Sequence, residues 1–233
     1  MAAPGSLPLY MQISELLIRD IAAGRLIDGE RLPPERDMAA QLGIAVGTLR
    51  QALRDLTAKG MLTRVQGSGN YICAKADPAS VYALLRIELA TGGGLPTARV
   101  LSVDLLPKDP RLPSFGTSAT GHRIRRLRFL SGHVAAVEEI WLDASYIPQI
   151  AISDLGESLY LYYRRRLGLW IARAEDSIGM GRLPDWAPAE FPHPPGKDLP
   201  LITRISQDQT GKSAEASWTW YDPETVRYVA RLK

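Results

Sequence analysis

The sequence feature that most limits the possible folds is a helical apolar repeat cut once, at a single glycine. From Glu35 to Ala58 the apolar positions Met38, Ala39 and Leu42, then Leu49, Ala52, Leu53 and Leu56, recur at the spacing of one buried helical stripe. Gly43 breaks the repeat, and only Ile44 and Ala45 separate it from the next helix. Two helices joined by so short a glycine turn form a helix-turn-helix. Pro33-Pro34 presets the start of the first, and Glu35 and Asp37 fall in its first turn, where the helix dipole favours acids. The second, from about Val46 to Ala58, is expected to turn Val46, Gly47, Arg50, Gln51 and Arg54 outward, so its free face is basic. Upstream, Tyr10, Ile13, Leu16, Leu17 and Ile21 mark another helix, closed by Gly24.

Charge supports this reading by its position rather than its total. A net charge of +3 does not by itself indicate a nucleic-acid partner. Residues 1–45, however, hold four Arg or Lys against six Asp or Glu, whereas 46–75 hold Arg50, Arg54, Lys59, Arg64 and Lys75 against Asp55 alone. Beyond Gly60, two strand candidates, Leu62–Val65 and Asn70–Cys73, flank Gln66-Gly67-Ser68-Gly69. A hairpin with so small a tip reads as a wing, because glycines let backbone N–H groups approach phosphates closely. The competing reading is a generic small domain with solvated arginines.

Motifs in order and spacing carry a resemblance. Pro8-Leu9-Tyr10, Gly24, the run Leu32 to Ala39, the run Thr48 to Leu53, Gly60 and the run Gln66 to Ile72 are similar to the DNA-binding domain of the GntR family. The resemblance implies DNA contacts from Arg36, Arg50, Gly67 and Gly69. Thr48, Gln51, Arg54 and Ser68 complete the expected interface, with Val46 and Gly47 at the start of the recognition helix. Ala45-Val46 and Pro34 stand where the family usually has Ser-Arg and Ser, so a side-chain cap on each helix and one arginine contact are absent. A thymine methyl is what Val46 could contact in place of a guanine.

Downstream, 76–94 changes composition and ends in Thr91-Gly92-Gly93-Gly94, which reads as a linker between an N-terminal domain over 1–75 and a second over 95–233. The second domain alternates strand candidates with Pro and Gly: Ala98–Leu105, His122–Leu130, Val134–Leu142, Ile171–Gly179, Leu201–Asp208, Ala214–Tyr221 and Arg227–Arg231. Helix is expected over Ser158–Leu167, with segments near Ile147 and over Pro184–Phe191. The expectation is an α+β domain built on an antiparallel sheet. Arg126-Leu127-Arg128, Ser131-Gly132, Glu138, Ser158-Leu159-Tyr160, Gly196, Pro200-Leu201-Ile202, Gly211, Glu215 and Tyr221 resemble the UTRA domain of the HutC-type subfamily. That resemblance implies a chorismate-lyase-like fold binding a small effector.

The residues support a pocket on independent grounds. Arg126 and Arg128 are two apart on one strand and share a face, with Glu138 on the next strand. Ser158 and Tyr160 open a helix whose N–H groups favour an anion, while Glu215 and Tyr221 add an acceptor and an aromatic wall. Such a site suits a polar ligand with anionic and hydroxyl groups. The same three charges could instead form a surface ion-pair ladder. Arg164-Arg165-Arg166 reads as a solvated face, and Trp141, Trp170, Trp218 and Trp220 as core or interface aromatics.

Other classes find little support. A lone cysteine, Cys73, excludes a disulfide framework and suits a reducing cytoplasm, and His122, His133 and His193 lack ligand spacing, so neither metal nor cofactor is expected. Met1–Tyr10 lacks a signal-peptide pattern, and no apolar run approaches the roughly 20 residues of a membrane span. A chorismate-lyase-like fold can host catalysis, which makes a small-molecule-converting enzyme the alternative, but no nucleophile-base pairing supports it. The expectation is a cytoplasmic, homodimeric repressor, not an enzyme, that binds a two-fold DNA operator under the control of a metabolite.

Overall fold

The computed structural model describes residues 7–74, 82 and 84–231, which divide into two compact units, Leu7–Leu85 and Arg86–Val229. The first contains α1 (Leu9–Ala22), α2 (Glu35–Gln41), α3 (Val46–Ala58) and an antiparallel hairpin of β1 (Leu62–Val65) and β2 (Gly69–Ile72). Its core is the predicted stripe: Ile13, Leu17 and Ile21 of α1 pack with Leu49, Ala52, Leu53 and Leu56 of α3. The same two helices are tied at their polar margin by Lys59, just past α3, which lies 3.6 Å from buried Glu15, and by Ser14, which donates to Asp55.

Gly43 ends α2 for a specific reason. Its φ of +64° lets the Ile44 N–H reach the Ala39 carbonyl at 3.0 Å and its own N–H reach that of Ala40 at 3.1 Å, the two bonds of a Schellman turn. A residue with a Cβ would resist that dihedral, so glycine sets where the second helix can begin. Neither α2, preceded by Pro34, nor α3, preceded by Ala45, has a side-chain cap, as the departures from the family pattern imply.

The second unit is a six-stranded antiparallel sheet ordered β4-β5-β6-β9-β8-β7. Its strands are β4 (Pro96–Pro107), β5 (Thr120–Leu130), β6 (His133–Asp143), β7 (Ile171–Arg182), β8 (Asp198–Asp208) and β9 (Ser213–Tyr221). Each predicted strand is present and most run longer. The last candidate, Arg227–Arg231, is instead β10 (Val226–Tyr228), paired with β3 (Ile87–Leu89). Residues 76–81 and 83 of the expected linker lie outside the described residues, as does Lys75 of the basic run. Its final part is structured: Thr91-Gly92-Gly93 form a turn in which Leu89 N–H reaches the Gly93 carbonyl at 2.9 Å, so the glycine run at the end of the expected linker closes a strand end.

Helical content is smaller than expected. Ser158–Leu167 becomes one turn of α4 (Leu159–Tyr162) continuing into a π turn (Tyr163–Leu167). The segment near Ile147 is irregular, followed by a 3-10 turn at Ile152–Asp154, and Pro184–Phe191 forms turns, with proline at both 184 and 188 withholding the N–H groups a helix needs. One sheet face packs on Leu183, Phe191 and Trp186 against Leu127, Val137, Trp218 and Trp220, with Trp141 and Phe115 beside them. No helix among the described residues is long and apolar enough to cross a membrane.

Candidate nucleic-acid interface and effector site

The N-terminal unit exposes polar residues along α3 and glycines and a serine at the hairpin tip. Gly47, Arg50, Gln51 and Arg54 are exposed along α3, Arg36 is exposed on α2, and Thr48 is half-buried. Val46 departs from expectation. It is half-buried and packs against the core cluster, because positions 46, 49 and 53 share a helical stripe. Arg50 does not point freely into solvent: its Nε donates to Glu35 on α2 at 2.6 Å, and that hydrogen bond holds the Glu35 carboxyl below its ordinary value. At the tip, Gly67 and Gly69 have φ of +75° and +132°, and Ser68 Oγ is held by the Tyr71 hydroxyl at 2.6 Å. A Cβ on Gly69 would lie 3.1 Å from Arg31 Nε, a flexible exposed side chain that can move aside, so it is the positive φ that favours glycine there.

On the sheet face beneath α4, strand register brings charged groups into a dry cluster. Arg126 pairs with Glu138 and Arg128 with Ala136 across β5–β6, while Leu142 of β6 opposes Glu215 of β9, which opposes Ser206 of β8. Glu138 is gripped from both sides: Arg126 Nη2 lies at 2.6 Å, and Arg128 reaches it with Nε at 2.6 Å and Nη2 at 3.1 Å. All three side chains are about 95% buried, which excludes the surface ladder. Burial alone would raise the Glu138 carboxyl, but Arg126 and Arg128 outweigh it and hold it at about 2. Burial lowers Arg126 more than Glu138 raises it, and its Nε has no hydrogen-bond partner among the described residues.

Next to this clasp, Glu215 accepts from Tyr163 at 2.8 Å, Ser206 at 3.0 Å and Tyr160 at 3.2 Å. Burial pushes the Glu215 carboxyl up in spite of the Tyr163 and Ser206 hydrogen bonds. Arg204 of β8 forks onto Asp176 of β7 at 2.6 and 2.7 Å, and the Tyr228 hydroxyl donates to the same carboxylate. Ser158 caps α4, its Oγ accepting from Leu161 N at 3.3 Å. Tyr221 lies on this face opposite Ala136, but its hydroxyl makes no hydrogen bond to the cluster among the described residues.

Thus Arg126, Arg128, Glu138, Tyr160 and Glu215 come together as expected, with Ser158 at the α4 edge. Tyr163, Arg204, Ser206 and Asp176 belong to the same cluster but were not expected from the sequence. For Tyr163 the signal was its spacing of three from Tyr160, which puts both on one helical face toward Glu215. The other three depend on β8 lying between β7 and β9. His122 and His193 have structural roles, bonded to the Ile147 carbonyl at 2.8 Å and to Asp222 at 2.9 Å, and the described residues hold no metal-ligand cluster.

A winged helix-turn-helix joined to an α+β domain that holds a buried cluster of charged groups is the arrangement of a DNA-binding transcription regulator with an effector domain. The chain belongs to the gntR family of bacterial regulatory proteins, whose family pattern matches residues 9–72, and carries a UTRA domain over residues 91–227. It is 61% identical to the HTH-type transcriptional regulator SmoD of Agrobacterium fabrum, over 98% of each chain. The E. coli mannosyl-D-glycerate transport/metabolism system repressor MngR is 28% identical, over 87% of this chain and 82% of its own. The crystal structure of the possible transcriptional regulator YydK of Bacillus subtilis has the same fold, with a TM-score of 0.55 at 22% identity over 97% of this chain and 100% of its own. These relationships support a regulator, as in the HutC-type arrangement, and not the enzyme alternative.

Proposed function

We propose that the protein is a homodimeric repressor that grips a two-fold DNA operator with α3 and the hairpin tip and is controlled by an anionic, hydroxylated metabolite bound between the sheet and α4. The carrying observation is the Arg126–Glu138–Arg128 clasp beside Arg204. The buried guanidiniums of Arg126 and Arg128, with the partly buried Arg204 on the same sheet face, form a potential that an anionic group complements, and Glu215, Ser206 and Tyr160 supply the partners hydroxyls need. The relative named for mannosyl-D-glycerate suits this chemistry, since that compound combines a carboxylate with sugar hydroxyls.

On DNA, Arg36, Gly47, Thr48, Arg50, Gln51 and Arg54 face the major groove or its phosphates, and Gly67, Ser68 and Gly69 meet the backbone. Val46, half-buried, offers at most a methyl contact at the edge of the groove. Two copies are required because one short recognition helix buries too little surface for specific affinity. Such a regulator acts in the cytoplasm, where the bacterial chromosome lies.

The test is operator selection from a randomised duplex pool with the full chain, followed by a screen of anionic metabolites for release. Arg126→Ala should leave effector-free operator affinity within about twofold but abolish the response, because coupling requires ligand contacts that differ between two states. Unchanged release by the variant would remove Arg126 from the site, and failure to enrich any sequence would remove the DNA reading.

A further inference from the structure

The segment between α1 and α2 is fixed in place where it passes the hairpin. Gly29 N–H reaches the Ile72 carbonyl, Ile72 N–H reaches that of Glu30 and Leu32 N–H reaches that of Asn70, each at 2.9 Å, and Arg31 bridges to Tyr71. Residues 29–32 thus run antiparallel beside β2 as a third line of the wing. Alternation then divides their side chains between its two faces. Leu32 joins Leu62 and Ile72 in the core that the hairpin shares with α3, and Arg31 takes the opposite face, with Tyr71 and Gly69. There its Nε, Nη2 and Cγ lie 3.1, 3.7 and 3.9 Å from where a Cβ of Gly69 would stand, so the side chain is laid across the bare glycine toward the tip.

The charge of Arg31 is left unanswered. Its exposed guanidinium makes no hydrogen bond or ion pair among the described residues. The acids of its own segment are engaged elsewhere: Asp28 accepts from Ala74 N–H and Glu30 from Ile27 N–H, both at 2.9 Å. On the other face of the wing the arrangement is different, because Glu35 holds Arg50 at 2.6 Å and also feels the charge of Arg64. An exposed arginine is common. What singles out Arg31 is a backbone tied on both sides and a stem aligned along the wing. We infer that Arg31 holds one phosphate of the DNA backbone on the side of the wing away from α3, outside the bases that α3 reads. This rests on the DNA-binding reading above and adds to it a contact that lies in neither the recognition helix nor the hairpin. The ligand is a phosphate and not a base edge, because lying across Gly69 keeps the guanidinium at the flank of the tip instead of ahead of it.

Salt titrations of the full chain on two duplexes decide it, one enriched from a randomised pool and one of unrelated sequence. Each phosphate contact adds about 0.9 to the slope of log affinity against log salt, which at roughly 0.1 M is about an eightfold contribution. Arg31→Ala should therefore weaken binding to both duplexes about eightfold at that salt, lower the slope by about 1 and enrich the same sequences as the parent. Arg31→Lys should keep the slope, since an ammonium also neutralises a phosphate. The thermal melt should stay within about 1 °C, because the side chain is exposed. Ethylation of a single phosphate outside the bases read by α3 should interfere with the parent and have no effect on Arg31→Ala. An Arg31→Ala variant that binds both duplexes with the parent's affinity and slope would overturn the inference. So would one that enriches sequences altered at a flanking base pair, which would make Arg31 a reader of the groove. A parent that binds neither duplex would instead overturn the DNA-binding reading, and this contact with it.

Discussion

Glu138 offers the sharpest test of the effector cluster, because its substitution by glutamine changes charge with almost no change of shape. The carboxyl is held at about 2 against an ordinary 4.5, a difference that corresponds to about 3 kcal/mol of folding free energy at neutral pH. An independent argument agrees: removing one member of a buried ion cluster leaves uncompensated charge, at a cost of about 3–5 kcal/mol. At roughly 2–4 °C per kcal/mol for a protein of this size, Glu138→Gln should lower the melting temperature by about 6–12 °C. All five tryptophans lie at or beyond Trp141, so intrinsic fluorescence reports this unit alone. The sign with pH is also determined. A depressed carboxyl stabilises above about 4.5 and loses that contribution as pH falls toward 2, so parent and variant should converge in that window. Millimolar sulfate should recover more stability in the variant than in the parent, because the anion replaces the missing charge between two guanidiniums. A variant melting within 2 °C of the parent at pH 7 would mean that Glu138 is not clasped and that the site is not a cationic receptor.

Further outcomes follow from other residues. Arg50→Ala should weaken operator binding by about 5- to 150-fold and relax specificity at one base pair per half-site, read by repeating the duplex selection at fixed salt. Glu35→Gln frees Arg50 from its 2.6 Å partner and should tighten binding to any duplex a few-fold at low salt, the gain vanishing at high salt; a loss of affinity would instead make Glu35 the group that positions Arg50. Gly116→Ala should cost about 2–4 kcal/mol by urea unfolding, since its φ is +62° and a Cβ there would fall 2.1 Å from Asp143 Oδ2.

The N-terminal unit was legible because its determinants are local. Gly43 stops a helix within its own turn, Pro34 starts one, and the stripe through Leu49, Ala52, Leu53 and Leu56 needs no distant partner to be recognised. Val46 marks the limit of that reading. Its position on the helix follows from periodicity, but whether a residue at the margin of the stripe is covered depends on what packs beside it. The Arg126–Glu138 pair was similarly legible, since the turn at Ser131-Gly132 makes β5 and β6 a hairpin and sets one strand against the next.

The remainder of the candidate site depends on long-range order. Alternation marks β7, β8 and β9 as strands, but nothing local says that β9 lies against β6 with β8 outside it, and only that order carries Ser206, Arg204 and Asp176 to Glu215 and the arginines. Tyr163 joins them on the face it shares with Tyr160, but which sheet residues that face meets is set by where α4 docks. By itself, then, the sequence determined the N-terminal helices, the strands of the sheet, the basic helix and the hairpin half of the charged site, because short-range sterics and hydrogen bonding specify them. The tertiary structure alone decided which strands become neighbours, and hence which charges are desolvated together, because that choice is made by burial summed over the whole sheet rather than by any one segment.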